Sequence, residues 1–218
     1  ATGLFRIHSV GPSGRVFNYA DAGDSAGSTP QMHFFARLFD RPVYAWHQRK
    51  FGGRGGALDV LWYDPRGTDA DMNNVPLDAY FTNVDVTFLR GSWADAALFI
   101  GFKGGANRAN HSHLDLGTFV LDAAGQRWAL DTGPDDYNLP AYFGNKRWTY
   151  YRLRTEGQNT LLIDGANQDP KAKAPIVAFE STPERAFAVA DLSAGYARQA
   201  KRVRRGVALL DRKCVLIQ

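Results

Sequence analysis

Two imidazoles and a carboxylate fall at alternate positions in Asn107-Arg108-Ala109-Asn110-His111-Ser112-His113-Leu114-Asp115. An extended backbone would place His111, His113 and Asp115 on one face, because side chains in a strand repeat every two residues. Bringing such groups together is costly unless they share a ligand or a proton-transfer task. The plainer alternative is a polar strand end whose histidines bond locally. Asp131-Thr132-Gly133-Pro134 follows. Asp131 there either makes an Asx turn or offers a hard oxygen ligand beside the strand that holds His113, and nitrogen with carboxylate suits Zn²⁺. The third segment, Tyr142 to Arg154, interleaves aromatic and basic side chains. Rings that stack on sugars and guanidiniums that grip carboxylates would suit an acidic glycan. Ordinary aromatic packing in a strand accounts for the same composition.

The elements that must position these residues read as short strands. Val84 to Leu89, Ala96 to Phe102, Gly117 to Leu121, Arg127 to Asp131, Thr160 to Asp164, Ile176 to Phe179, Ala186 to Asp191 and Val207 to Leu210 are β-type runs separated by turn residues such as Ala124-Gly125 and Asp164-Gly165. Such a succession predicts a mainly β fold, an antiparallel β-sandwich. Before it, residues 11–30 read as a long loop. Pro30 opens a helix over Gln31 to Phe39 that ends before Pro42, and a second short helix is expected around Val43 to Arg49. The run Gly52-Gly53-Arg54-Gly55-Gly56 has neither a preceding strand nor a following Lys-Ser/Thr, so it reads as a hinge rather than a phosphate loop.

Bulk properties narrow the class. Hydrophobic residues make up 44% of the 218 residues and aromatics 13%, enough for a sizeable core. The net charge of +4 helps attract a polyanion without diagnosing one. Neither a dense Lys/Arg helix nor zinc-finger spacing is present, which argues against nucleic acid, and no stretch reads as a membrane span. A single cysteine, Cys214, rules out an intramolecular disulfide and reads as a buried strand residue. Both ends of the chain read as cuts through a longer polypeptide.

Taken in order, the motifs Asn110-His111-Ser112-His113-Leu114-Asp115, Trp128-Ala129-Leu130-Asp131-Thr132-Gly133 and Arg154-Thr155-Glu156-Gly157-Gln158-Asn159-Thr160-Leu161-Leu162-Ile163-Asp164-Gly165 resemble the heparinase II/III-like domain of polysaccharide lyases. Ala190 to Tyr196, followed by Val203-Arg204-Arg205, extends the resemblance, which runs from about residue 85 to the end. Residues 1–55 resemble the end of the helical toroid and the connector that precede this domain in the family's alginate, heparin and heparan lyases, leaving 56–218 as the sandwich, supersandwich-like and C-terminally truncated.

The resemblance implies β-elimination on a uronic-acid glycan, with His111 and Tyr142 in catalytic positions and Tyr150 or Tyr151 as alternatives to Tyr142. Arg108, Asn110 and Arg152 are the candidate substrate contacts. It also implies a metal set of His113, Asp131 and the position of Gln158, where the family usually has histidine. An amide is a weak zinc ligand, so Zn²⁺ and a metal-free hydrogen-bonded cluster both stay open. The partners implied are an acidic polysaccharide and the rest of the toroid, which in the family supplies a second tyrosine and an Asn or His for the substrate carboxylate. Tyr19 lies in the toroid's exit loop and is assigned no catalytic role. A bacterial periplasmic or secreted location is also implied. A noncatalytic carbohydrate-binding sandwich would use the same aromatics and arginines. A hydrolase fits less well, because the Asp and Glu candidates sit in turns without an acid/nucleophile pairing.

Overall fold

The computed structural model describes residues 2–218. Helices come first: α1 (Thr2–Ser9), α2 (Gln31–Leu38), α3 (Pro42–Phe51) and α4 (Ala57–Trp62). Proline places two of these starts. Pro30 precedes α2 and Pro42 is the first residue of α3, where its missing N–H would have had no partner. The glycine run separates α3 from α4, and the Asp59 carboxylate accepts the Gly56 N–H at the start of α4. The expected helices at 31–39 and 43–49 are present, whereas α1 and α4 carry no start signal strong enough to be read from sequence. Ile7, Met32, Ala36, Val43, Tyr44 and Ala45 form a small core with Met72 and Val75.

Two antiparallel sheets make the sandwich. The first has the order β1 (Ala79–Phe81), β2 (Val86–Arg90), β3 (Phe99–Lys103), β5 (Phe119–Ala123), β6 (Gln126–Ala129). The second has the order β11 (Cys214–Ile217), β10 (Arg204–Leu210), β9 (Arg185–Asp191), β8 (Ile176–Ser181), and a small ribbon pairs β4 (Gly105–Ala106) with β7 (Lys173–Ala174). Leu89, Ile100 and Phe102 of the first sheet meet Ala186, Ala188, Val207 and Leu209 of the second. The period-two burial of β9 lets its three alanines accept the larger side chains opposite.

Both faces of β2 and β3 are buried. The face away from the second sheet is covered by Phe17, which packs with Val86, Phe88, Phe99 and Val120. Gly101 permits this, since a Cβ there would lie 2.6 Å from the Phe17 ring. Polar clamps fix the same segment: Arg90 donates to the carbonyls of His8 and Val10, and Arg127 donates to that of Val16. The stretch from His8 to Phe17 is thereby laid against the outer face of the first sheet.

Three expectations are corrected. Residues 107–115 are turn and bend rather than strand, and His111 has φ +59°, which ends any two-residue alternation. Thr160 to Asp164 forms no strand; Ile163 makes a single bridge to Ala166, while Leu161 and Ile163 pack on the core. Cys214 lies on β11 as expected but is exposed, because Val215 and Ile217 take the core-facing positions of that strand and Cys214 falls on its outward face.

Candidate active site

The loop after β4 is held at both ends. Asn107 N–H donates to the Ala172 carbonyl at 3.0 Å, and Leu114 N–H donates to that of Leu153 at 2.9 Å. Leu114 and Leu116 are fully buried, and Gln168 bonds both backbone groups of Leu116. Between these anchors the chain turns through the left-handed conformation at His111. The result is an exposed His111 ring beside a fully buried His113 ring.

Both histidines converge on Asp21, from the loop between α1 and α2. His111 Nδ1 lies 3.0 Å from Asp21 Oδ2, and His113 Nε2 lies 2.9 Å from Oδ1. Tyr142 O–H donates to Oδ1 at 3.1 Å, and Arg147 Nη2 lies 3.2 and 3.1 Å from the two oxygens. The Asp21 side chain is only 2% exposed. Burial alone would push its carboxyl up. The hydrogen bonds from His113 and His111 and the Arg147 charge outweigh that and hold it below the usual carboxylate range. His113 is pulled down by burial, against the opposing pull of Asp21. Burial raises the Tyr142 phenol.

Arg147 ties the arrangement to the histidine loop, since it also donates to the Ser112 carbonyl at 2.9 Å. Its guanidinium packs 5.0 Å from the Tyr142 ring centroid and 5.3 Å from that of Trp148. Outside it lies an aromatic wall. Tyr137 stacks on His111 with ring planes 17° apart, Phe143 meets His111 edge-on at 5.7 Å, and the Tyr137 hydroxyl is 3.4 Å from His111 Nδ1.

The other expected residues fall as follows. Tyr142 reaches Asp21, whereas Tyr150 donates to the Pro140 carbonyl and Tyr151 is exposed. Arg108 and Asn110 are exposed on the histidine loop. Arg152 donates to the carbonyls of Thr132 and Pro134, so it braces the loop after Asp131. Asp115 does not join His111 and His113. It pairs with Lys103 in the interior, because the backbone between them is not extended. Sequence reasoning missed Asp21, Arg147 and Tyr137. Arg147 stood within the aromatic and basic run, but nothing near Asp21 in the sequence marks it as a partner of residues ninety positions away.

His113 Nδ1 accepts from the Gln158 amide at 3.2 Å, and the same amide nitrogen donates to the Arg152 carbonyl. Asp131 Oδ1 accepts the Gly133 N–H at 2.8 Å. Asp131 Oδ2 and Gln158 Oε1 are buried without a hydrogen-bond partner among the described residues, and burial raises the Asp131 carboxyl to about 7. Two unpartnered oxygens suit a cation. The imidazole does not, because a metal needs a free nitrogen lone pair and both ring nitrogens of His113 are engaged. Among the described residues no group of three His, Cys, Asp or Glu side chains could hold a metal ion. As arranged, the set does not fit zinc.

The model of the heparinase II/III-like C-terminal family matches residues 87–217. Among solved structures, a heparinase III superposes with a TM-score of 0.73 at 17% identity, covering 98% of this chain and 32% of that one. The heparan sulfate lyase HepC from Pedobacter heparinus gives a TM-score of 0.67 at 18% identity, with 97% of this chain and 30% of that chain covered. A mutant of that lyase gives 0.70 at 17%, over the same shares. At such identities the likeness is one of fold, and the chain spans about 30% of the length of these proteins. No curated protein matches the sequence significantly. With the family model covering more than half of the chain and the same sandwich in the solved structures, this chain belongs to the heparinase II/III-like family.

Proposed function

We propose that this chain is the β-sandwich part of a polysaccharide lyase that cleaves a uronic-acid glycan by β-elimination, with residues 1–55 as the end of a helical toroid and its connector and 56–218 as the sandwich domain. The observation that carries the reading is the exposed His111 ring, held by a buried carboxylate and walled by Tyr137 and Phe143. The chemistry asks for three things. The uronate carboxylate must be neutralised, a base must take the C5 proton, and the departing O4 must gain a proton. The C5–H electron pair becomes the C4=C5 double bond as the C4–O bond breaks. Histidine and tyrosine suit the proton steps, and hydrogen-bond donors suit the developing charge on the carboxylate.

In this reading His111 acts at the C5 proton or the carboxylate. Tyr142 is buried and acts from beneath through Asp21, whereas Tyr137 is 46% exposed and has the better reach to substrate. Arg108 and Asn110 face solvent on the same loop and meet the glycan there, while Arg152 holds the Asp131 loop. His113 and Gln158 form a hydrogen-bonded support for the histidine loop, and no step passes through a metal. Among the described residues no helix is long and apolar enough to cross a membrane. A periplasmic or secreted location suits a polysaccharide substrate.

The test is the full-length protein on a panel of uronic-acid polysaccharides and matched neutral glycans, read by the ultraviolet absorbance of an unsaturated uronate. Appearance of that chromophore with one acidic glycan supports the reading. Binding of glycans without any chromophore, under conditions where the protein is folded, turns it into a carbohydrate-binding sandwich.

A further inference from the structure

Asp21 is the meeting point of four side chains that can all donate, and it comes from the loop laid against the first sheet rather than from the sandwich itself. A carboxylate offers about four lone-pair sites and no hydrogen. His111, His113, Tyr142 and Arg147 fill them. Each histidine must therefore carry a proton on the nitrogen that faces Asp21, which is Nδ1 for His111 and Nε2 for His113. For His113 this leaves Nδ1 as an acceptor, and Gln158 supplies the matching N–H. For His111 it leaves Nε2 with a free lone pair on an exposed ring, with no hydrogen bond among the described residues.

We propose that Asp21 is a positioning residue for the elimination: from the connector loop it fixes the proton of His111 on Nδ1 and so presents Nε2 as the unprotonated nitrogen at the cleft. The proposal rests on the lyase reading for its activity consequence but not for its structural one. It also makes the base dependent on the docked connector. The sandwich alone would hold His113 through Gln158 and Leu114, but at His111 Nδ1 it would leave only the Tyr137 hydroxyl, 3.4 Å away, which can donate as well as accept and so does not hold the proton there.

Asp21→Asn probes this at nearly constant size. The amide must turn its NH₂ toward one set of donors. On the Oδ1 side it would face Tyr142 and His113, and His113 could adapt only if the Gln158 amide reversed as well. Arg147 Nη2 lies within 3.2 Å of both oxygens and opposes either orientation alike; apart from it the Oδ2 side meets only His111, whose exposed ring adapts by moving its proton to Nε2. The amide therefore settles with NH₂ toward His111, and the free lone pair turns inward.

In the full-length protein, Asp21→Asn should lower kcat by roughly 10²–10⁴-fold, the usual contribution of a positioned base, with KM changed by no more than about twofold, since bound substrate contacts are untouched. Labelling of His111 by diethylpyrocarbonate, read by mass spectrometry, should fall in the same variant, because the reagent needs an accessible unprotonated nitrogen. Wild-type kcat and wild-type labelling in a folded Asp21→Asn variant would overturn the proposal. If that variant does not fold, ¹⁵N shifts of the histidine side chains in the wild-type protein decide: Nδ1 of His111 protonated supports the proposal and Nε2 protonated overturns it. Should the wild-type protein lack activity on every uronic-acid glycan, the lyase reading fails, and the labelling and ¹⁵N results still judge Asp21.

Discussion

His8 and His47 are as thoroughly buried as His113, yet they sit in surroundings of the opposite kind. In the helical region His8 packs against Phe88 and Trp93, and His47 packs against Phe51. Burial depresses both to about 3, with Arg90 adding to the effect. His8 Nδ1 and His47 Nε2 have no hydrogen-bond partner among the described residues. These imidazoles behave as flat, neutral packing pieces. At Asp21 the same side chain meets a buried carboxylate that fixes its tautomer and opposes the desolvation. Burial makes a histidine inert, and a buried carboxylate beside a partly exposed histidine makes it usable. Between His113 and the helical pair the difference is the acceptor and not the degree of burial, whereas His111 differs from them in both.

The largest expected effect tests that difference directly. His111→Ala in the full-length protein should reduce kcat by roughly 10²–10⁴-fold. His47→Leu, close in volume and replacing a ring with an unpartnered nitrogen, should leave kcat near wild type and shift stability by less than about 1.5 kcal/mol. Steady-state kinetics on the two variants, with urea melts of both, read the outcome. Equal losses of kcat would break the comparison.

Arg147→Met removes the cation that offsets the buried Asp21 charge while keeping much of the packing on Tyr142 and Trp148. Leaving a buried charge without its partner costs about 3–5 kcal/mol, and a matching fall in the denaturation midpoint is expected. A loss below about 1 kcal/mol, the size of an exposed ion pair, would mean that the two histidines and Tyr142 satisfy Asp21 without help.

The helical histidines predict an acid sensitivity of their own. Burial holds their folded pKa values at about 3, below the ordinary imidazole value of 6.5. The unfolded chain therefore binds more protons in that interval. Their contribution is fully present above pH 6.5 and is lost as pH falls toward 3, by an amount on the order of a few kcal/mol for each histidine. His47→Leu should flatten the melting temperature against pH across this window. An unchanged slope would show that His47 is not desolvated as the structure places it.

The particular residues explain how much was legible. Pro30 and Pro42 mark helix starts because an apolar helical pattern follows each of them, and the alternation of Ala186 to Asp191 survives because β9 is paired on both sides. Leu161 and Ile163 alternate just as well and do pack on the core, but Asn159 and Thr160 bond to carbonyls of Phe119, Leu130 and Leu116, which ties the segment across neighbouring backbone without making it a strand. In the site, the pattern at His111 and His113 was visible because both lie on one short loop. Asp115 was misplaced because alternation assumes an extended chain, and His111 at φ +59° is not extended. Asp21 carried no local mark at all. It follows Ala20, also at positive φ, in an ordinary-looking loop, and gains its meaning only when Phe17 packs against Gly101 and brings the loop to the histidines.

The smallest expected effect concerns Gln158 and sharpens the comparison at its supporting end. The Gln158 amide fills the same need at His113 Nδ1 that is left unfilled at His8 Nδ1. Its N–H holds the neutral ring, and its Oε1 stays unpartnered in the interior. Gln158→His exchanges that donor for an imidazole, which binds zinc far better than an amide oxygen. With His113 it would supply two imidazole ligands, which water or a carboxylate can complete. Elemental analysis of protein purified without chelator should find zinc well below one per chain in the wild type and close to one per chain in Gln158→His. Bound metal stabilises in proportion to the logarithm of its excess over Kd, roughly 2.7 kcal/mol at a hundredfold excess, so the variant should also gain a chelator-sensitive rise in melting temperature. One zinc per chain in the wild type would instead mean that the amide reverses to present Oε1, and that His113 is a ligand rather than a hydrogen-bonded support.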